Sequence, residues 1–310
     1  MGTEGPAMNE LSVNLGEVLR SRYGLAVHTS TPLVGGYDTW AVNWRLYTDR
    51  GSYVLRIDRS APPPTEGWPN SVITCAAAAG VPCQPPMPAL DGARAAVIDG
   101  ATVTLRPFVE GGLLNRDDAR QVAAAGATLG LLHTALRGAT NDRATPSPWA
   151  AQFWPGDRDP PALCDPALDA WHESFVSGVA RFAEGAVHGD YWADNLLWHA
   201  DQIAAVIDWS EARVDALARE LAWATWEFGH DQTSPRLDAD RARTFLDGYR
   251  EVAGPWEPGL AAALIPLMRV ELRLHARYTL ADPGDTEYST WLQHAFARLG
   301  GYSAATLLDG

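Results

Sequence analysis

Leu11, Leu15, Val18 and Leu19 recur at helical spacing and predict a short amphipathic helix over residues 10–23. The period then changes to two. Trp40, Val42, Trp44 and Leu46 alternate with other residues, the turn Thr48–Gly51 follows, and Tyr53, Leu55 and Ile57 resume the alternation. This is the pattern of a β-hairpin, with Gly35 and Gly36 marking a tight turn before its first strand. Residues 61–69 are proline-rich and predict a loop. Residues 71–80 predict a helix closed by Gly80, residues 81–88 are irregular, and residues 94–109 predict a second hairpin. Glu110–Gly111–Gly112 then breaks the pattern.

Beyond the break the chain turns helical. Asp117 and Asp118 open an apolar helical run and Gly138 follows it, as helix electrostatics and capping favour. Residues 165–184 predict another helix. AVHGDYWADNLLW (186–198) and IAAVIDW (203–209) predict two short strands joined by a loop, and about three helices complete the chain, running on directly after the second strand. No internal repeat or low-complexity tract is present. The layout is α+β: a small β-rich N-terminal lobe over residues 1–108, a larger mainly helical lobe over 109–310, and a hinge at about 106–112.

Charge narrows the partners. The net charge is -14. Residues 1–108 hold 8 Arg and 9 acids, whereas residues 109–310 hold 16 Arg and 29 acids, and lysine is absent. Nucleic-acid binding needs the opposite sign. An acidic C-terminal half favours a cationic partner or serves solubility alone. The first twenty residues carry no basic segment ahead of an apolar run, and no stretch is apolar for long enough to predict a membrane span, so a cytoplasmic protein is expected. Cys75, Cys83 and Cys164 form no CxxC pair and read as unpaired thiols.

HGDYWADNLLW concentrates a histidine, two acids and an amide within His188–Asn195. Asp190 precedes Asn195 by five residues, and Asp208 follows at the end of an apolar strand. Protein kinases space their catalytic aspartate, metal-binding asparagine and second metal-binding aspartate in this order. Phosphoryl transfer explains the residue types. One carboxylate orients the acceptor hydroxyl, while an amide oxygen and a second carboxylate hold Mg2+ against the nucleotide phosphates.

HGDYWADNLLW followed by IAAVIDWSEARVDALARELAW resembles the aminoglycoside phosphotransferase and choline kinase-like family of small-molecule kinases. The resemblance covers nearly the whole chain and implies a bilobal protein-kinase-like fold. It implies that Asp190 is the catalytic base, that Asn195 and Asp208 bind Mg2+, and that His188 braces the loop. VGGY, containing Gly35 and Gly36, resembles the loop over the phosphates of ATP or GTP. YVLRI resembles the strand whose basic residue touches them, here Arg56, whose guanidinium fork suits phosphate. RPFVEGG resembles the hinge, where the Pro107 carbonyl and the Val109 N–H would meet the adenine. One feature departs from the pattern. The nearest acid before the 71–80 helix is Glu66, with Pro69 between them, so either Glu66 reaches back to Arg56 or the pair is dispensed with.

Other residues carry two readings. Asp215 and Glu220 fit scaffold better than substrate contact. Trp226 and Glu227, with Asp231 on the same helix, read as a pocket wall for a cation or as a core helix with one solvated side. Trp192 would shape the acceptor pocket or pack. His133 reads as a satisfied core histidine, and Glu271 is a further pocket candidate.

The favoured function is transfer of a γ-phosphoryl group to a hydroxyl of a small, cationic molecule. Charge and the tryptophan-rich helix favour an antibiotic or related secondary metabolite. A primary metabolite such as homoserine, choline or a sugar is the alternative. A catalytically silent kinase-like binding protein conflicts with the complete Asp190–Asn195–Asp208 set. A metal hydrolase lacks clustered histidines, and a protein kinase lacks an activation segment after Trp209. Monomer and homodimer both remain open.

Overall fold

The computed structural model describes residues 13–33, 41–59, 67–139, 160–177, 182–281 and 286–308. Gly35, Gly36, Trp40 and Glu66 lie outside them. The chain divides into two compact units, residues 1–74 with 84–110, and residues 75–83 with 111–310.

In the first unit, helix α1 (Val13–Tyr23) leads into strands β1 (Val27–Leu33), β2 (Ala41–Thr48) and β3 (Gly51–Asp58). Helix α2 (Trp68–Ala78) follows, its residues from 75 on assigned to the second unit, and strands β4 (Ala96–Ile98) and β5 (Ala101–Pro107) complete an antiparallel sheet of order β1-β2-β3-β5-β4. The period-two residues Trp44, Leu46, Leu55 and Ile57 join Leu15, Leu19 and Leu25 in its core. Val42 shares the inward phase but is exposed at the strand end. Strand β1 has no counterpart in the hydrophobic pattern. It is an edge strand with mostly exposed side chains, so nothing forces its apolar residues to alternate. Helix α2 begins earlier than expected and takes Pro69 into its first turn, where the missing N–H costs no hydrogen bond.

The second unit is mainly helical. Strand β6 (Gly112–Leu113) precedes helices α3 (Ala119–Leu136) and α4 (Pro166–Ser177). Strands β7 (Glu184–Val187), β8 (Leu196–His199), β9 (Gln202–Val206) and β10 (Arg213–Ala216) follow. Helices α5 (Leu217–Gly229), α6 (Ala239–Ala253), α7 (Leu260–Ala281), α8 (Thr286–Leu299) and α9 (Ala304–Leu308) complete it. Strands β6, β8 and β9 form one sheet, and β7 pairs antiparallel with β10. The helix expected to reach residue 184 gives way to β7, and the 186–198 segment divides into β7, a loop and β8. Strand β10 intervenes where the chain was expected to run straight into helix. Its four residues are too few to show a period.

Asp118 caps α3, accepting the Arg120 N–H at 2.9 Å. Helices α3 and α6 cross closely because each offers a glycine. A Cβ on Gly126 would strike the Phe245 carbonyl, and one on Gly248 would strike the Ala123 carbonyl. Gly126→Ala is therefore expected to destabilise the protein by about 1–3 kcal/mol through overpacking, despite alanine's better helix propensity. Urea unfolding measures this, and an unchanged midpoint would contradict the close crossing.

Candidate active site

Strand β7 ends at Val187, and the next eight residues return the chain to β8. The shape of this loop is held from several sides. The Glu220 carboxylate on α5 accepts the His188 N–H at 3.2 Å and the Gly189 N–H at 2.6 Å. His133 on α3 bonds the same carboxylate through Nε2 at 2.9 Å, and its Nδ1 meets the Tyr249 hydroxyl of α6 at 3.0 Å. Burial pushes the Glu220 carboxyl pKa up, but the His133 hydrogen bond, nearby histidine charge and the Gly189 N–H outweigh it, and the net shift is downward. Gly189 has φ +88°, and a Cβ there would collide with the Glu211 carbonyl, so the position demands glycine.

The His188 ring is fully buried. Its Nε2 donates to the Ile207 carbonyl at 2.8 Å, and its Nδ1 accepts the Asp190 N–H at 3.2 Å. Trp209 packs edge-on against it at 4.8 Å. Tyr191 ties the loop to α3 by donating to the Ala125 carbonyl at 2.8 Å. Tyr191 and Trp209 escaped the sequence reading, because an aromatic residue beside a motif looks the same whether it packs or binds.

Asp190 and Asn195 are brought together directly. Asn195 Nδ2 donates to both the Asp190 carbonyl and its Oδ2, each at 2.8 Å. Among the described residues nothing donates to Asn195 Oδ1, so the amide presents its oxygen. The Ile207 N–H donates to the Asn195 carbonyl at 2.9 Å, joining the loop to the segment that carries Asp208. Asp208 adopts φ +55°, with Oδ1 accepting from the Ser210 hydroxyl at 2.8 Å. Burial raises the Asp190 pKa, the Asn195 hydrogen bond opposes that rise, and the negative charge of Asp208 adds to it. No group of three or more His, Cys, Asp or Glu among the described residues forms a ready-made metal cage. One amide oxygen and one carboxylate nevertheless fit Mg2+, which usually takes its remaining ligands from phosphates and water.

A small cavity beside Asp190 is lined by Arg213, Trp223, Glu271 and His275, among others. The acceptor candidates divide around it. Glu271 lies on its wall, bound to Arg219. Trp226 does not line it. Its ring is 1% exposed, stacked on His230 and edge-on to Trp291, so the tryptophan of this helix that faces the cavity is Trp223. Glu227 is buried without lining the cavity, and burial, reinforced by Asp190 and Asp194 against Arg116, raises its pKa to about 7. Asp231 does not line this cavity, and its oxygens accept from Thr233 and Ser234. Trp192 is partly buried beside Asp190.

In the first unit, Arg56 approaches Asp58 Oδ2 at 3.5 Å. A same-strand acid two residues on is thus one partner of this guanidinium. Pro107 ends β5, and Phe108 donates its N–H to the Ser52 carbonyl at 3.0 Å just before Val109.

The sequence model of the phosphotransferase enzyme family matches residues 31–255. The chain belongs to this family. It is 31% identical over 227 residues to the homoserine kinase of Methylobacillus flagellatus, covering 68% of this chain and 67% of that one. Its fold matches an amicoumacin kinase solved with AMP-PNP, Ca2+ and Ami, at TM-score 0.69 and 13% identity over 96% of this chain and 95% of the other. It also matches a microcompartment-associated aminopropanol kinase, at TM-score 0.67 and 17% identity over 92% and 94%. The protein is a small-molecule phosphotransferase with the protein-kinase-like fold. No helix of the described residues is long and apolar enough to cross a membrane.

The lowered Glu220 pKa sets an expected pH dependence. A carboxyl with a depressed folded-state pKa stabilises above its ordinary value, 4.5, and that stabilisation is lost as pH falls through the folded value. Glu220→Gln is expected to be less stable than the parent at neutral pH, with the difference shrinking on acidification below about 4.5. Denaturant melts across pH check this, and a pH-independent difference would contradict it.

Proposed function

We propose that the chain transfers the γ-phosphoryl group of a magnesium-bound nucleoside triphosphate to the hydroxyl of a small, amine-bearing metabolite of the homoserine type. The observation that carries this reading is the joined set Asp190–Asn195–Asp208 on a loop braced from three helices. Asp190 orients the acceptor hydroxyl and takes its proton. The hydroxyl oxygen bonds the γ-phosphorus as the bond to the β,γ-bridging oxygen breaks. Asn195 Oδ1 and Asp208 hold Mg2+, which when bound neutralises charge on the phosphate oxygens. Arg56 and the Gly35–Gly36 segment steady the phosphates, and Pro107 and Val109 offer backbone groups to the base. Positioning and electrostatics supply the rate, with no covalent enzyme intermediate.

The relatives' names favour a primary metabolite. The homoserine kinase likeness reaches 31% sequence identity over 68% of this chain, whereas the amicoumacin kinase shares the fold at 13% identity. Burial of Trp226 also removes part of the case for an antibiotic. The acidic C-terminal half keeps a cationic antibiotic as the second reading.

A transfer assay by mass spectrometry decides between them. Mg-ATP or Mg-GTP is offered with hydroxy amino acids, amino alcohols and hydroxylated cationic antibiotics. A product heavier by one phosphoryl group is expected with the first class. Asp190→Asn should lower its rate by about 10²–10⁴-fold while retaining Mg-nucleotide binding. Full turnover by Asp190→Asn would sink the assignment.

A further inference from the structure

The cavity beside the Asp190 carboxylate measures about 80 Å³. A water needs about 10–15 Å³ of such space, so the cavity suits a handful of waters or a solute of about that many heavy atoms. Its walls carry both signs of charge. Arg213 donates from Nε to Asp215 Oδ2 at 3.2 Å, and from Nη1 to the Gly189 and Glu211 carbonyls at 3.2 and 3.4 Å. Its Nη2 bonds none of the described residues. Glu271 receives both of its Arg219 bonds on Oε1, at 2.9 and 2.7 Å. No described residue donates to its Oε2. Both side chains are nearly buried, 11% and 9% exposed. Neither Arg213 Nη2 nor Glu271 Oε2 is wholly buried, so cavity water reaches both, and a ligand that displaces this water must replace its hydrogen bonds. The Trp223 and His275 rings, stacked 4.0 Å apart and nearly parallel, supply a flat face. Burial lowers the His275 pKa to about 4, so this face is uncharged at neutral pH.

We infer that this cavity is the acceptor pocket and selects a small hydroxylated amino acid as its zwitterion, Arg213 Nη2 taking the carboxylate and Glu271 Oε2 the ammonium. The inference rests on the reading of Asp190 as the base, because Asp190 lines the cavity. A zwitterion satisfies both groups and brings no net charge. A polyamine antibiotic sets ammonium groups against the Arg213 donor, and an amino alcohol leaves that donor unfilled.

The test is kcat/KM with Mg-ATP for homoserine and serine, each beside the analogue lacking the carboxylate and the analogue lacking the amine. For homoserine these are 3-aminopropan-1-ol and 4-hydroxybutyrate. At least one amino acid should exceed both analogues by about 10²-fold or more, as expected where buried polar groups lose their partners. Glu271→Gln should weaken the amino acid far more than its amine-free analogue. Arg213→Lys should weaken it far more than its carboxylate-free analogue. A purely structural role would move acceptor and analogue together. If either variant fails to fold, the wild-type comparison decides. Equal turnover of amino acid and amino alcohol, or transfer to antibiotics alone, overturns the inference and leaves the phosphotransferase reading standing. Absence of transfer to every hydroxyl offered, with Mg-ATP bound, overturns both.

Discussion

The carboxylate of Glu220 is the interaction on which the site depends. An ionised carboxyl taken out of water loses several kcal/mol of solvation. Here two backbone N–H groups and a histidine nitrogen converge on it, and charge-assisted hydrogen bonds contribute about 1.5–3 kcal/mol each. The two backbone donors belong to His188 and Gly189, immediately before Asp190. The bond that satisfies a buried charge therefore also sets the entry angle of the loop. Removing the charge would leave two buried N–H groups facing a neutral side chain, and the loop would be free to find other shapes.

The brace is anchored through the helical core. Gly126 and Gly248 let α3 and α6 approach until backbones touch, and that approach brings His133 of α3 to Tyr249 of α6. His133 then reaches Glu220 of α5. Three helices thus fix one carboxylate, the carboxylate fixes two amides, and the amides fix the position of Asp190. Asn195 and the strand leading to Asp208 close the loop from the other side. Residues far from the chemistry govern it through packing and hydrogen bonds.

Much of this was legible in the sequence where a residue type and its spacing are dictated by chemistry. HGDYWADN and AVIDW announce themselves because an acid, an amide and a second acid at those intervals have few other uses. The period-two residues Trp44, Leu46, Leu55 and Ile57 announce the sheet for the same kind of reason. Strand β1 was illegible because an edge strand with exposed side chains has no hydrophobic period. Strand β10 was too short to show one. Trp226 and Trp223 stand three residues apart on a helix buried almost all round, so sequence could not say which faces the cavity. His133 and Glu220 were each legible as scaffold, but their pairing spans 87 residues and exists only in the fold. One acid beside Arg56 is Asp58 on its own strand, where a search for a glutamate at the following helix does not look; Glu66 lies outside the described residues.

The measurement closest to the central claim is the single-turnover rate of phosphoryl transfer by Glu220→Gln at saturating Mg-nucleotide, at a temperature where the variant is folded. Glu220 makes no hydrogen bond to the side chains of Asp190, Asn195 or Asp208, but it also lines the cavity beside Asp190, so the rate is read at saturating acceptor as well, where the transfer step alone is seen. If the brace positions Asp190, the transfer step should slow by about 10²-fold, the penalty typical of a misplacement near 1 Å, while nucleotide affinity stays at the parent value. A folded variant that transfers phosphate at the parent rate would contradict the account.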